Sequence, residues 1–116
     1  MSSRKKIVLG ITGGIAAYKS TILVRLLIKN NYDVQVVMTK SAKEFVTSLT
    51  LESLSGKPVF DDMWESTKGA FKHIQASRDA DLILIAPATA NILGKIANGI
   101  SDDILSNICI ARNCPL

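Results

Sequence analysis

Histidine and cysteine are scarce in this chain: one His, at position 73, and two Cys, at 109 and 114, among 116 residues. The two thiols lie outside Cys-x-x-Cys spacing and have no ring of histidine partners, so no metal site is expected. Two thiols make no disulfide framework either, and free cysteines in a reducing cytoplasm fit best. No run approaches the roughly 18–20 apolar residues of a membrane span. The opening Met1-Ser2-Ser3-Arg4-Lys5-Lys6-Ile7 lacks the apolar stretch and cleavage site of a secretory signal. Aromatic residues make up only 5%, and the 14 basic residues are scattered rather than clustered with aromatics between them, which argues against a nucleic-acid partner. The net charge of +4 is mild, and at most favours an anionic small molecule.

What is present is ordinary globular chemistry, 47% hydrophobic and 21% charged, in a length that supports one domain with a single core. Lys6 to Thr12 is a short β-branched run that reads as a strand buried on both faces. Ile15 to Asn30 carries helical spacing with Ile15, Ile22, Leu23, Leu26 and Leu27 as its apolar stripe, and Asn30-Asn31 ends it. Asp33 to Thr39 is a second strand, and Ser41 to Glu44 has capping-box spacing for a helix start. A short helix over Leu49 to Gly56 and a short strand over Lys57 to Phe60 follow. Asp61 to Lys72, with Trp64 and Gly69, reads as a loop in which Trp64 packs. Asp81 to Ala86 is the clearest strand, and Pro87 terminates it. Asn91 to Asn98 is helical, Gly99 stops it, and Asp102-Asp103 opens a last helix to about Arg112. Cys114-Pro115-Leu116 resembles the beginning of another strand.

Alternating strands and helices predict an α/β fold, Rossmann-like, three layers α/β/α around a parallel sheet. Ligands of such sheets sit beyond the carboxyl ends of the strands, where the strand order reverses. Two loops there are rich in small residues. In the first, Gly13-Gly14 predicts a turn with positive φ, after which the amides of Ile15, Ala16 and Ala17 point outward as an anion cradle. The spacing of Gly10, Gly13 and Gly14 is not the dinucleotide fingerprint, and Thr39-Lys40 stands where an acidic residue would hold a ribose. Lys19-Ser20 is not a P-loop, because Tyr18 occupies the place of its glycine. In the second loop, Pro87-Ala88-Thr89-Ala90-Asn91, small side chains expose backbone while Thr89 and Asn91 add polar groups, which suits a flat polar ring. Thr39 is read equally as a helix cap and as a cofactor contact. His73 taken alone reads as a surface or capping residue, although an imidazole suits proton transfer near neutral pH.

The stretches Ile11 to Lys19, Val37 to Ala42, His73-Ile74, Ala80 to Asn91 and Gly94 to Asp103 together resemble the homo-oligomeric flavin-containing cysteine decarboxylases, on the branch that serves coenzyme A synthesis. The resemblance implies FMN as cofactor and a phosphorylated small-molecule cysteine conjugate as substrate, with trimer-based assembly. It implies that Gly13, Gly14, Ile15 and Ala16 hold the flavin phosphate and that Thr39 contacts the cofactor. Pro87, Ala88, Thr89 and Asn91 would border the ring system, and His73 would be the active-site histidine. Oxidised flavin in this family takes electrons from the thiol-bearing carbon, and carbon dioxide leaves the resulting thioaldehyde. A flavoprotein without turnover and relatives that act on peptide cysteine or prenylate flavin are the other readings. The sequence ends before the family's Pro-x-Met-Asn-x-x-Met substrate-binding stretch and its lid cysteine, which Cys109 and Cys114 do not match. Residues 1–116 are therefore expected to be a single FMN-binding domain lacking that C-terminal segment.

Overall fold

A computed structural model describes residues 4–62 and 71–116. Strand β1 (Lys6–Ile11) lies between β2 (Asp33–Met38) and β3 (Leu82–Ile85), and both pairings are parallel. Ile11 stands opposite Met38, and Gly10 opposite Ile85, so the carboxyl ends of all three strands share one edge. Beyond β2, Phe60 makes a single parallel bridge to Val37: its N–H donates to Val36 (3.0 Å) and its carbonyl accepts from Met38 (2.9 Å). Beyond β3, the Ile83 N–H donates to the Pro115 carbonyl at 3.0 Å. The order across the sheet is thus Phe60, β2, β1, β3, Pro115. Chain order reverses between β1 and β3, and that is the switch point where such sheets bind ligands.

Helices cover both faces, as continuous apolar strands require. On one face Leu9, Ile11, Val34, Val36 and Met38 pack against α1 (Ser20–Lys29) and α2 (Ser48–Ser55) through Val24 and Leu51. On the other, Val8, Val37 and Ile83 pack against α3 (Phe71–Asp79), α4 (Ala90–Ala97) and α5 (Ile104–Ala111), chiefly through Ala76, Ile92, Leu105 and Ile108. The expected three-layer architecture holds. Among the described residues no helix is long and apolar enough to cross a membrane.

Several local expectations change. The helix expected from Ile15 begins as a tighter 3-10 turn, Ile15–Lys19, and becomes α-helical only at Ser20. Its buried side is Ala17, Ser20 and Val24, whereas Ile15, Ile22 and Leu26 are 83%, 55% and 51% exposed. Apolar residues stand on two sides of this helix, so periodicity alone does not choose the buried one. Small Ala17 and Ser20 let the backbone sit close to the sheet and decide the matter. The helix end is as expected: Asn31 adopts φ 68°, while Tyr32 donates to Leu27 and Asn31 to Ile28, a complete Schellman closure.

Ser41–Glu44 is also a 3-10 turn, and no side chain caps it at Lys40. The expected capping box is absent because the preceding Thr39 hydroxyl accepts the Ala42 N–H instead, at 3.3 Å. The strand expected over Lys57 to Phe60 contracts to the one bridge at Phe60. Of the loop expected over Asp61 to Lys72, Phe71 and Lys72 are helical, while 63–70, with Trp64 and Gly69, lie outside the described residues. Helix α3 escapes sequence periodicity because it buries small and polar positions: Ser77 is fully buried, and its hydroxyl donates to the Ile108 carbonyl at 2.6 Å.

The two thiols differ in reach. Burial pushes the Cys109 thiol up to about 11, and the same cause raises half-buried Cys114 by less. Alkylation by iodoacetamide at pH 8 is expected to modify Cys114 in the native protein and Cys109 only after unfolding, because the thiolate is the nucleophile and Cys109 is inaccessible. Peptide mass mapping that finds Cys109 modified first would contradict this packing.

Candidate functional site

Three loops meet at the carboxyl ends of β1, β2 and β3, and one buried threonine joins two of them. Thr12 ends β1 and is 1% exposed. Its hydroxyl donates to the Pro87 carbonyl at 2.5 Å and accepts the Thr89 N–H at 3.0 Å, while its own N–H also donates to Pro87 (3.3 Å). Ser20, at the start of α1, adds a second tie by donating to the Ala86 carbonyl at 2.9 Å. Neither residue was singled out from sequence. The available signal was a hydroxyl at a buried position: Thr12 closes an apolar strand, and Ser20 lies on the helix face between Ala17 and Val24.

The Gly13-Gly14 turn is not what the sequence suggested. Among the described glycines only Gly56 and Gly99 have positive φ, and Gly14 is extended at φ −171°, ψ 161°. Gly13 is required for a different reason. A Cβ there would lie 2.5 Å from Ser41 Oγ and 2.9 Å from the Ser41 carbonyl carbon, so the loop after β1 presses directly on the loop after β2. A Cβ on Gly14 meets nothing within 4 Å. The Ala17 N–H, expected to be free, donates to the Gly14 carbonyl at 2.9 Å and closes the 3-10 turn. The amides of Ile15 and Ala16 have no acceptor among the described residues, and both residues are exposed. This leaves two adjacent backbone donors beside the open space over Gly14, a geometry suited to an oxyanion.

Next to this turn, a cleft of about 320 Å³ is lined by Thr12, Thr39, Ser41, Thr89, Asn91 and Lys95, among others. Three of the expected site residues, Thr39, Thr89 and Asn91, therefore share one wall system. Pro87 and Ala88 do not line this cleft; Ala88 lines a separate apolar groove along β3 with Leu84, Leu93 and Leu116. Thr39 is 8% exposed and serves as a turn cap, its hydroxyl also lying 3.5 Å from the Ile11 carbonyl. Thr89 caps α4 by accepting the Ile92 N–H at 3.3 Å, and Asn91 is exposed in the first turn of that helix.

The far wall is electrostatically closed. Lys95 pairs with Asp102 (2.9 Å) and Asp103 (3.3 Å), and the hydrogen bond to Asp102 is the main cause raising its pKa. Asp103 heads α5 in a full capping box with Ser106; burial opposes its ionisation, but hydrogen bonds from Ser106 and Lys95 hold its carboxyl below the usual range. His73 is the third residue of α3. That helix leads into Asp81, whose N–H donates to Lys6 at the amino end of β1, so its first turn lies toward the carboxyl end of the sheet.

A parallel three-layer sheet with backbone donors and a polar cleft at its switch point defines a nucleotide-type cofactor-binding domain. Residues 1–114 match the Flavoprotein family, and the chain belongs to that family. It is 46% identical over 113 residues to the coenzyme A biosynthesis bifunctional protein CoaBC of Escherichia coli K12, covering 97% of this chain and 28% of that protein. Its identity to the CoaBC of Borreliella burgdorferi is 44% over 115 residues, covering 99% of this chain and 30% of that protein. The chain thus spans less than a third of the length of these curated relatives. Among solved structures, the FMN-dependent cysteine decarboxylase TvaF from thioviridamide biosynthesis aligns with TM-score 0.92 at 28% identity, covering 98% of this chain and 74% of that one. A PPC decarboxylase complexed with pantothenoylaminoethenethiol aligns with TM-score 0.81 at 30% identity, covering 95% and 62%. The likeness to flavin-containing cysteine decarboxylases seen in the sequence is borne out.

Proposed function

We propose that this chain binds FMN at the switch point and decarboxylates 4′-phospho-N-pantothenoylcysteine to 4′-phosphopantetheine, a step of coenzyme A biosynthesis. The observation that carries the flavin part is the pair of amides at Ile15 and Ala16, unpartnered among the described residues, beside open space at Gly14 and a polar cleft walled by Thr39, Thr89 and Asn91. A phosphate monoester fits there without a cationic side chain, because backbone donors at such a turn favour negative charge. Identity of 46% to the coenzyme A biosynthesis protein CoaBC supports the coenzyme A substrate.

Gly13, Gly14, Ile15 and Ala16 hold the cofactor phosphate in this reading, and Thr39, Pro87, Ala88, Thr89 and Asn91 border its ring. Bound FMN supplies the redox chemistry that makes loss of the carboxylate feasible. The chain's own residues do the positioning, and His73 is assigned the proton transfer at its imidazole nitrogen. Exposed Ile15, Tyr18, Ile22 and Leu26 follow one another at three- and four-residue spacing, forming an apolar stripe next to the phosphate loop. That stripe supports a homo-oligomer with the sites near subunit contacts, and the trimeric or trimer-based form is what the family resemblance implies.

The test is carbon dioxide release and product formation by the FMN-loaded protein, with the phosphorylated conjugate and a cysteine-terminated peptide as competing substrates. Turnover of the conjugate is expected. Preference for the peptide would move the protein to the other branch, and tight FMN binding with neither substrate consumed would make it a flavin-binding protein without turnover.

A further inference from the structure

We infer that Thr12 is a positioning residue that sets the ring-bordering loop, and that the peptide group of Ala88 is what this loop is set to present to a bound heterocycle. The inference rests on the FMN reading and follows from where the backbone groups of residues 86–89 go. The Ala86 N–H donates to Gly10 at 3.0 Å, and its carbonyl accepts from Ser20. Pro87 has no N–H, and its carbonyl is taken by Thr12. The Thr89 N–H is also taken by Thr12, and the Thr89 carbonyl accepts the Leu93 N–H at 3.1 Å. What remains is the N–H and the carbonyl of Ala88, with no partner among the described residues and on an exposed residue. One donor and one acceptor from the same residue are the complement of an amide-like ring edge.

The direction of the Thr12 bonds is fixed by valence. A hydroxyl has one proton, and Pro87 O is an acceptor only, so the proton goes to Pro87 and a lone pair receives the Thr89 N–H. Both sides of Ala88 are thereby clamped from one buried atom, and because N–H and C=O of a trans peptide point in opposite directions, the Ala88 N–H and carbonyl are turned away from Thr12. Thr12 and Thr89 line the cleft while Ala88, next to Thr89 in the chain, lines the groove along β3, so the clamp stands between the two and is not a remote support.

The test compares Thr12→Val, which keeps the shape and removes the hydroxyl, with Thr12→Ser, which keeps the hydroxyl. In the flavin-free protein, amide hydrogen exchange at Thr89 is expected to accelerate by roughly 10- to 100-fold in Thr12→Val, the loss of one buried hydrogen bond. FMN affinity is expected to fall by about tenfold or more with a changed visible spectrum of the bound flavin, and Thr12→Ser restores all three readouts. Should Thr12→Val fail to fold, Thr12→Ala carries the same comparison without added bulk. Unchanged exchange at Thr89 would overturn the inference. So would fast exchange with FMN affinity and spectrum unaltered, or a Thr12→Ser protein as impaired as Thr12→Val. If Thr89 exchange responds as expected but the wild-type protein takes up no FMN, the clamp stands and the flavin reading is what fails.

Discussion

Carbon dioxide release by the FMN-loaded protein is expected to fall by about 10²- to 10⁴-fold when His73 is replaced by Asn, the range for loss of a positioned acid–base group. FMN uptake should be unchanged, because the residues assigned to the cofactor lie on the three loops after β1, β2 and β3, whereas His73 is carried by α3. Asn retains hydrogen-bonding capacity but cannot change its charge near neutral pH, so the exchange isolates proton transfer from polarity. His73 is assigned this role by its likeness to the family's active-site histidine and by its location in the first turn of α3. Steady-state turnover beside a flavin titration reads both quantities. Equal turnover in the two proteins would remove His73 from the chemistry and leave the fold and the cofactor site untouched.

The second large effect separates two neighbouring glycines. Gly13→Val is expected to lower stability by about 1–3 kcal/mol, the usual cost of overpacking, because its Cβ would fall 2.5 Å from Ser41 Oγ and the chain must move. For a domain of this size that corresponds to a drop in melting temperature on the order of 5–15 °C. Gly14→Val should leave the melting temperature of the flavin-free protein almost unchanged, since the backbone is extended and a Cβ there meets nothing. Its effect belongs to the ligand: the added side chain occupies the space over the Ile15 and Ala16 amides, and FMN affinity should fall by 100-fold or more, about 2.7 kcal/mol. Differential scanning fluorimetry with and without FMN distinguishes the two. A Gly14→Val protein that binds FMN like the wild type would place the phosphate elsewhere.

These contrasts show what could be read from the residues and what could not. The strands were legible because Ile7 to Ile11, Val34 to Met38 and Leu82 to Ile85 lie between two helical layers and leave largely apolar runs, broken only by Gln35 in β2. Helix ends were legible where one residue does the work, as Asn31 and Gly99 do with positive φ. Helix α3 was not, because among its described side chains the inward positions are the small Ala76 and Ser77. Both 3-10 turns were hidden as well, since three-residue and four-residue spacing look alike over a single turn. At the candidate site, the two loops singled out from sequence do meet at the carboxyl ends of the strands, but the contacts that fix them there were not legible. Gly13 answers to the proximity of Ser41, a contact between loops 28 positions apart that no local pattern records. Thr12 and Ser20 act through carbonyls 75 and 66 positions away, and so carry no motif of their own.

The account turns on whether the loop at Gly13 to Ala16 and the loop at Pro87 to Asn91 hold a flavin between them. Absorbance of the purified protein from 300 to 550 nm, followed through an FMN titration and gel filtration, measures this directly. The account predicts the two visible flavin bands, retained through the column at about one FMN per chain and lost in Gly14→Val. A colourless protein that carries no added FMN through the column would contradict it.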